Sequence, residues 1–330
     1  MLGRVLLPPA GEGQTTLVKP VPFASVRAAP NQSRPLRERL AAILPQLVLA
    51  PSLLATFVYV IVFCAWTIWI SLSNSTLLPD YSISGFHHYA ELWSNRRWSI
   101  AYTNLFLFSS LYVVGATAIG LLLAILIDQR VRAEALWRTI YLYPLAVSFV
   151  VTGTVWRWLL SPSTGVESVI RQLGWESFKF DWIVQREMAI YTVVITGIWQ
   201  ASGFVMALFL AGLRSVDPDL VKAAQIDGAT MSRIYRRIIL PAIGPIFVSV
   251  FVVLLQFAIK TFDLVIALTG GGPGVSTTVP AIYVYDLMFQ RGQMAEGAAA
   301  AIMILLALSL VLVPYTIWNN WRQRQEAGRG

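Results

Sequence analysis

The feature that most constrains this chain is the length of its uncharged runs. No Asp, Glu, Lys or Arg occurs between Arg39 and Asp80. Comparable runs cover Ile100–Ile127, Thr139–Trp156, Met188–Leu213 and Gly297–Trp318, while Leu240–Thr269 is interrupted only by Lys260 and Asp263. A helix that crosses a bilayer needs about 20 predominantly apolar residues. Core helices of a soluble domain are shorter, and barrel strands would alternate with a period of two. The expected fold is therefore all-α: a polytopic membrane helical bundle of six transmembrane helices at about residues 53–72, 100–127, 139–158, 188–213, 242–269 and 297–318. Charge content agrees. Only 13 % of the 330 residues are charged, against about 25 % in a soluble domain, too few to cover a water-exposed surface of this size.

Orientation follows from the basic residues, because Lys and Arg near span ends are retained on the cytoplasmic side. The N-terminal tail, the second–third loop, the fourth–fifth loop and the C-terminal tail hold 17 of the 25 basic residues. The three remaining loops hold 6, and Arg157 and Lys260 lie at span ends. Both termini are expected to be cytoplasmic, with residues 1–40 a flexible Pro- and Arg-rich tail, 41–320 the transmembrane domain and 321–330 a second short tail. The net charge of +8 then reports topology and contact with membrane lipid, with no nucleic-acid footprint.

Several chemistries are missing from the sequence. No Gly-Lys pair occurs, so ATP phosphates cannot be cradled by a G-x-x-x-x-G-K-[ST] loop. The two histidines, His87 and His88, are adjacent in an outer loop, and Cys64 is the single cysteine. No metal site and no catalytic residues are expected.

The fourth–fifth connection, residues 214–241, is long and patterned. Asp217-Pro218 is a helix start, a short acidic cap before proline at the first helical position. Leu220, Ala223, Ala224 and Asp227 share one helical face, and Gly228 can stop the helix at positive φ. A second helix is expected over Met231–Ile239, with Ile234, Tyr235 and Ile238 on one side and Arg233, Arg236 and Arg237 around it, ending at Pro241. Such a hairpin suits either a protein partner or an anionic lipid surface.

The run Lys222-Ala223-Ala224-Gln225-Ile226-Asp227-Gly228-Ala229, followed by Tyr235, Ile238, Leu240-Pro241 and Pro245, resembles the EAA loop of permease subunits from binding-protein-dependent ABC importers. Lys222 stands where the family usually has an acidic residue, and Tyr235 where Phe is common. Gly197–Phe204 running into Leu210–Leu213, Trp156-Arg157-Trp158, and Phe262-Asp263 before Thr269-Gly270-Gly271-Gly272-Pro273 are similar to the maltose-transporter-like carbohydrate subfamily. That stretch and Arg291-Gly292-Gln293 lean toward its glucose/mannose type. The resemblance, over about residues 40–320, implies the type I permease fold in a bacterial inner membrane. It also implies a second, homologous permease, two ATPase subunits that bind ATP and Mg, and an extracytoplasmic sugar-binding protein. Lys222, Ala223, Ala224, Asp227, Gly228, Ala229, Tyr235, Leu240 and Pro241 would then couple to the ATPase. The competing reading is an ion-coupled secondary carrier or a channel.

Charges at membrane depth are costly and mark candidate sites. Lys260 and Asp263, spaced i,i+3, are expected to pair or to meet substrate. Gln256 lies one turn before Lys260, and Trp199 with Gln200 offers an aromatic face beside hydrogen-bonding groups, as a sugar requires. These five are the candidate substrate ligands. Asn104 is expected to bond between helices, Thr269–Gly274 to form a tight turn, and Val279–Phe289 to lie outside, presenting Ile282, Tyr285 and Phe289 to the binding protein.

Overall fold

The computed structural model describes residues 48–129 and 131–327. The expected tail at 1–40 therefore lies outside the described residues. The chain divides into two compact units, Met1–Tyr59 and Val60–Gly330. In the first, the described residues are helical and exposed, with Thr56 Oγ1 donating to the Ser52 carbonyl at 2.8 Å.

The remaining description concerns the second unit. Helix α1 (Val48–Ser71) enters it, and its Phe63–Ser71 portion packs against the last helix. Then come α2 (His87–Ser94), α3 (Arg96–Asp128), α4 (Glu134–Ala146), α5 (Phe149–Leu159), α6 (Val166–Gln172) and α7 (Ala189–Ser215). After α8 (Pro218–Ile226) follow α9 (Met231–Ala242), α10 (Gly244–Ile259), α11 (Asp263–Leu268), α12 (Pro280–Tyr285) and α13 (Met294–Ala327). Among the described residues the β content is one isolated bridge, Ser73 to Ile83. Four helices are long and apolar enough to cross a membrane, or up to six if each of two bent pairs counts as one span.

Helix α7 is the central element, with 61 % of its apolar window buried against 33 % for α3. Lipid gives helices no hydrophobic reason to associate, so close packing through small residues must do it. Gly120 of α3 shows how tightly α7 fits: a Cβ there would stand 2.5 Å from Val205 Cγ1. Ala116, Ala124, Phe108 and Tyr112 of α3 join Val193, Val205, Met206 and Phe209 of α7 in the main core.

Two of the six expected spans are broken. The run at 139–158, expected as one helix, is bent by 98° between α4 and α5. Pro144 removes a backbone donor, and Ser148 begins a new helix by accepting from the Val151 N–H at 3.3 Å. The run at 242–269 also departs from one continuous helix. A 65° bend at Ile243 separates α9 from α10, and α10 stops at Ile259. Its 16 residues rise about 24 Å, short of the ~30 Å hydrocarbon layer. Helix α11 follows and packs against α5, where a Cβ on Gly153 would lie 2.6 Å from Ala267 Cβ. Helix α13 continues to Ala327, into the segment expected as a tail.

Candidate functional site

The fourth–fifth connection folds as a helical hairpin. The Asp217 carboxylate accepts from the Asp219 N–H at 2.9 Å, with Pro218 in the first turn of α8. Gly228 has φ of +75°. Its N–H donates to the Gln225 carbonyl at 3.0 Å, and that of Ala229 donates to Ala224 at 3.0 Å. This double bond pattern is the Schellman cap, which needs a residue able to take left-handed φ. In α9, Pro241 was expected to end the helix. Instead the helix runs on to Ala242, and the turn Tyr235–Ile239 widens to i→i+5 bonding, with Leu240 N–H reaching Tyr235. The wider turn rearranges the backbone around a residue that has no N–H to give.

The hairpin has two faces, and the expected grouping of its residues is split between them. Val221, Ala224, Ala229, Tyr235, Ile238 and Leu240 pack against the core, beside buried Ile234 and Ile239. Leu220, Ala223, Ile226, Asp227 and Met231 are exposed, Ile226 by 86 %. The outward face of the hairpin is therefore carried by Leu220, Ala223, Ile226, Asp227 and Met231, while Ala224 and Ala229 serve the inner contact. Lys222 is exposed and pairs within its own helix, Nζ to Asp219 Oδ1 at 2.9 Å.

A polar network that sequence reasoning missed fastens the hairpin. Tyr235 Oη donates to Asp128 Oδ2 at 3.2 Å. Arg214 spans Asp128 at 3.8 Å and Glu134 at 2.9 Å, and Arg138 reaches Glu134 at 2.8 Å. The end of α3, the start of α4, the end of α7 and α9 thus meet through four charges and one phenol. Water screens pairs as exposed as these, so each one alone contributes little and the network acts through their number. Arg214→Ala removes two of them and is expected to lower the melting temperature of the detergent-solubilised protein measurably. Arg214→Lys, which keeps one positive charge between Asp128 and Glu134, should recover part of that loss in the same melting measurement.

The five candidate substrate ligands are not brought together. Trp199 is 41 % exposed and meets Trp156 edge to face, ring centroids 5.7 Å apart, on the wall of an open cleft of about 630 Å³. Tyr141, Tyr143, Ile198 and Ser202 also line it, whereas Gln200, Gln256, Lys260 and Asp263 do not. Gln200 is buried and donates to the Val147 carbonyl at 2.9 Å, satisfying a group freed by the bend. The expected Lys260–Asp263 pair is absent. The helix that would set their i,i+3 spacing ends at Ile259, and both side chains are exposed without ion partners among the described residues. Asn104 bonds to a loop and no second helix, donating to the carbonyls of Ser276 and Thr278 at 2.8 and 2.9 Å. In the outer segment Ile282 is buried, and only Tyr285 and Phe289 are exposed.

Residues 116–325 match the family described as binding-protein-dependent transport system inner membrane component. The chain belongs to that family. An ABC transporter permease protein of Pyrococcus horikoshii is 40 % identical, over 83 % of this chain and 94 % of that protein. The xylose/arabinose import permease of Haloferax volcanii is 36 % identical, over 73 % and 76 %. The trehalose/maltose permease of Thermococcus litoralis is 30 % identical, over 81 % and 90 %. Among solved structures, a chain of a bacterial ABC importer of the acidic polysaccharide alginate matches with a TM-score of 0.72 at 25 % identity, over 88 % of this chain and 98 % of that one. The protein is a non-catalytic, multi-pass inner-membrane permease subunit of a binding-protein-dependent sugar importer, with the type I permease fold. ATP is bound by its partner ATPases, and solute is brought by a binding protein.

Proposed function

We propose that this subunit pairs with a second, homologous permease and two ATPase subunits to import a mono- or disaccharide. ATP-driven closure of the ATPases is transmitted through residues 214–241, with both termini on that same cytoplasmic side. The observation that carries this is the hairpin itself: a capped turn presents Leu220, Ala223 and Ile226 outward, while its other face is fixed to the ends of α3, α4 and α7. A push on the exposed face therefore reaches several spans at once. Sugar-importing relatives support the solute class, and the Phe262-Asp263 and Thr269–Pro273 motifs favour the glucose/mannose type.

Trp199 and Trp156 supply apolar faces of the kind that stack on sugar C–H groups. Tyr141, Tyr143 and Ser202 add polar atoms to the same cleft, while Gln256, Lys260 and Asp263 lie outside it and offer polar side chains without internal partners among the described residues. Trp199→Ala is expected to cut uptake at limiting sugar about threefold to tenfold, the worth of one aromatic contact. Trp158→Ala, at a residue 67 % exposed and outside that cleft, should leave uptake unchanged. The deciding experiment is reconstitution of both permeases with the ATPases in proteoliposomes and addition of the binding protein. Uptake should require ATP inside and ignore proton ionophores. Uptake that survives ATP removal and collapses with an ionophore would establish a secondary carrier instead.

A further inference from the structure

Basic residues are disfavoured in the outer connections of a membrane protein, and this chain has six there: Arg96, Arg97, Arg171, Lys179, Arg186 and Arg291. Three of the six converge. Arg96 and Arg97, which open α3, and Arg186, which precedes α7, line one cleft of about 480 Å³. Ile100 and the segment Pro273–Ser276 complete its wall. That wall is tied down by Asn104, whose amide holds the Ser276 and Thr278 carbonyls. The Arg186 guanidinium lies over Gly274, 4.0 Å from where a Cβ would stand.

The charges in this cleft are poorly balanced. Arg97 shares Asp286 with Arg291, at 2.9 and 3.1 Å. Arg96 and Arg186 have no ion-pair partner among the described residues, and Ser276 Oγ, on the lining, is buried without a hydrogen bond. The positive end of the α3 dipole adds to the same field. Guanidinium forks of this kind match carboxylates in bidentate geometry.

We infer that this cleft receives acidic side chains on the face of the binding protein when it docks to deliver sugar. The inference rests on the importer reading and orientation proposed above. Delivery requires that protein to meet the outer connections, and the cleft is walled by three of them. It shares no lining residue with the Trp199 cleft, as befits docking more than solute passage.

The test uses the complete transporter in proteoliposomes, titrated with its cognate binding protein while ATP hydrolysis is followed. Arg96→Glu with Arg186→Glu should raise the half-saturating concentration at least tenfold at low salt and flatten its dependence on NaCl. Arg96→Lys with Arg186→Lys keeps the charge and loses the fork, and should shift it clearly less than the glutamate exchange does, which separates lost attraction from lost folding. An unchanged half-saturation and salt slope in the glutamate variant would overturn the inference. So would an unchanged half-saturation joined to a lost response to inorganic phosphate or sn-glycerol 3-phosphate, which would make the cleft a solute site. If wild type itself ignored the binding protein, the importer reading would fall, and the docking cleft with it.

Discussion

Gly228→Pro is expected to reduce ATP-dependent uptake to background while the protein stays in the membrane at normal abundance. Gly228 sits at φ of +75°, and proline is locked near −65°. The substitution also deletes the N–H that bonds to Gln225 and misdirects the neighbouring Ala229–Ala224 bond. Helices α8 and α9 would then no longer hold Leu220, Ala223, Ile226 and Met231 on one surface. The inner anchors Ile234, Ile239 and Ile243 are buried in the core, so insertion and span packing do not depend on the turn. Gly228→Ala isolates the conformational part of the effect. No atom lies within 4 Å of an added Cβ, so the cost is the left-handed backbone alone, about 1–2 kcal/mol. Partial uptake is expected from it. Quantitative immunoblotting of membranes beside uptake measures both quantities, and wild-type transport by the proline variant would remove the hairpin from the mechanism.

What the sequence revealed of this site was local. Asp217-Pro218 and Gly228 act on their own backbone neighbours, so both ends of α8 were legible from residue types and spacing. The inner and outer faces were not, because Ala223 and Ala224 look alike until the core against which Ala224 packs is known. Hydropathy located the apolar runs but not their direction. Averaging transfer energies over a run gives Pro144 and Ser148 little weight, yet together they stop one helix and cap the next. The Lys260–Asp263 expectation failed for a related reason, since i,i+3 geometry holds only where the helix continues. The network of Asp128, Glu134, Arg138, Arg214 and Tyr235 was invisible, as it depends on which span ends are neighbours. Its one signal was opposite charge at the ends of apolar runs, at Asp128 and Arg214. Gln200 was noticed for its hydrogen-bonding groups, and its partner, the Val147 carbonyl, exists only because the run breaks.

That break sets the second large expectation: Gly203→Val should prevent assembly of a stable protein, and Gly203→Ala should lower its thermal stability. Gly203 lies on the face of α7 pressed against α4. A Cβ there would run into the Tyr141 carbonyl oxygen, with the Tyr141 carbonyl carbon 2.6 Å away and Leu142 Cα 3.3 Å away. These are backbone atoms, which cannot swing aside as a side-chain tip would. One turn earlier, Gln200 grips the Val147 carbonyl at 2.9 Å, so α7 holds the bent segment at two points, before and after Pro144. Moving α4 outward to admit a methyl group would stretch the Gln200 bond and open the cleft between Trp199 and Tyr141. Overpacking costs about 1–3 kcal/mol where neighbours can adjust. With backbone as the obstacle, alanine should reach the upper part of that range, and valine should exceed it. Melting of the detergent-solubilised transporter, followed by loss of the monodisperse peak on heating, provides the measurement. An alanine variant that melts with wild type would mean that α4 is free to move away from α7. The bend would then be a property of Pro144 and Ser148 alone, and Gln200→Leu should likewise leave uptake intact.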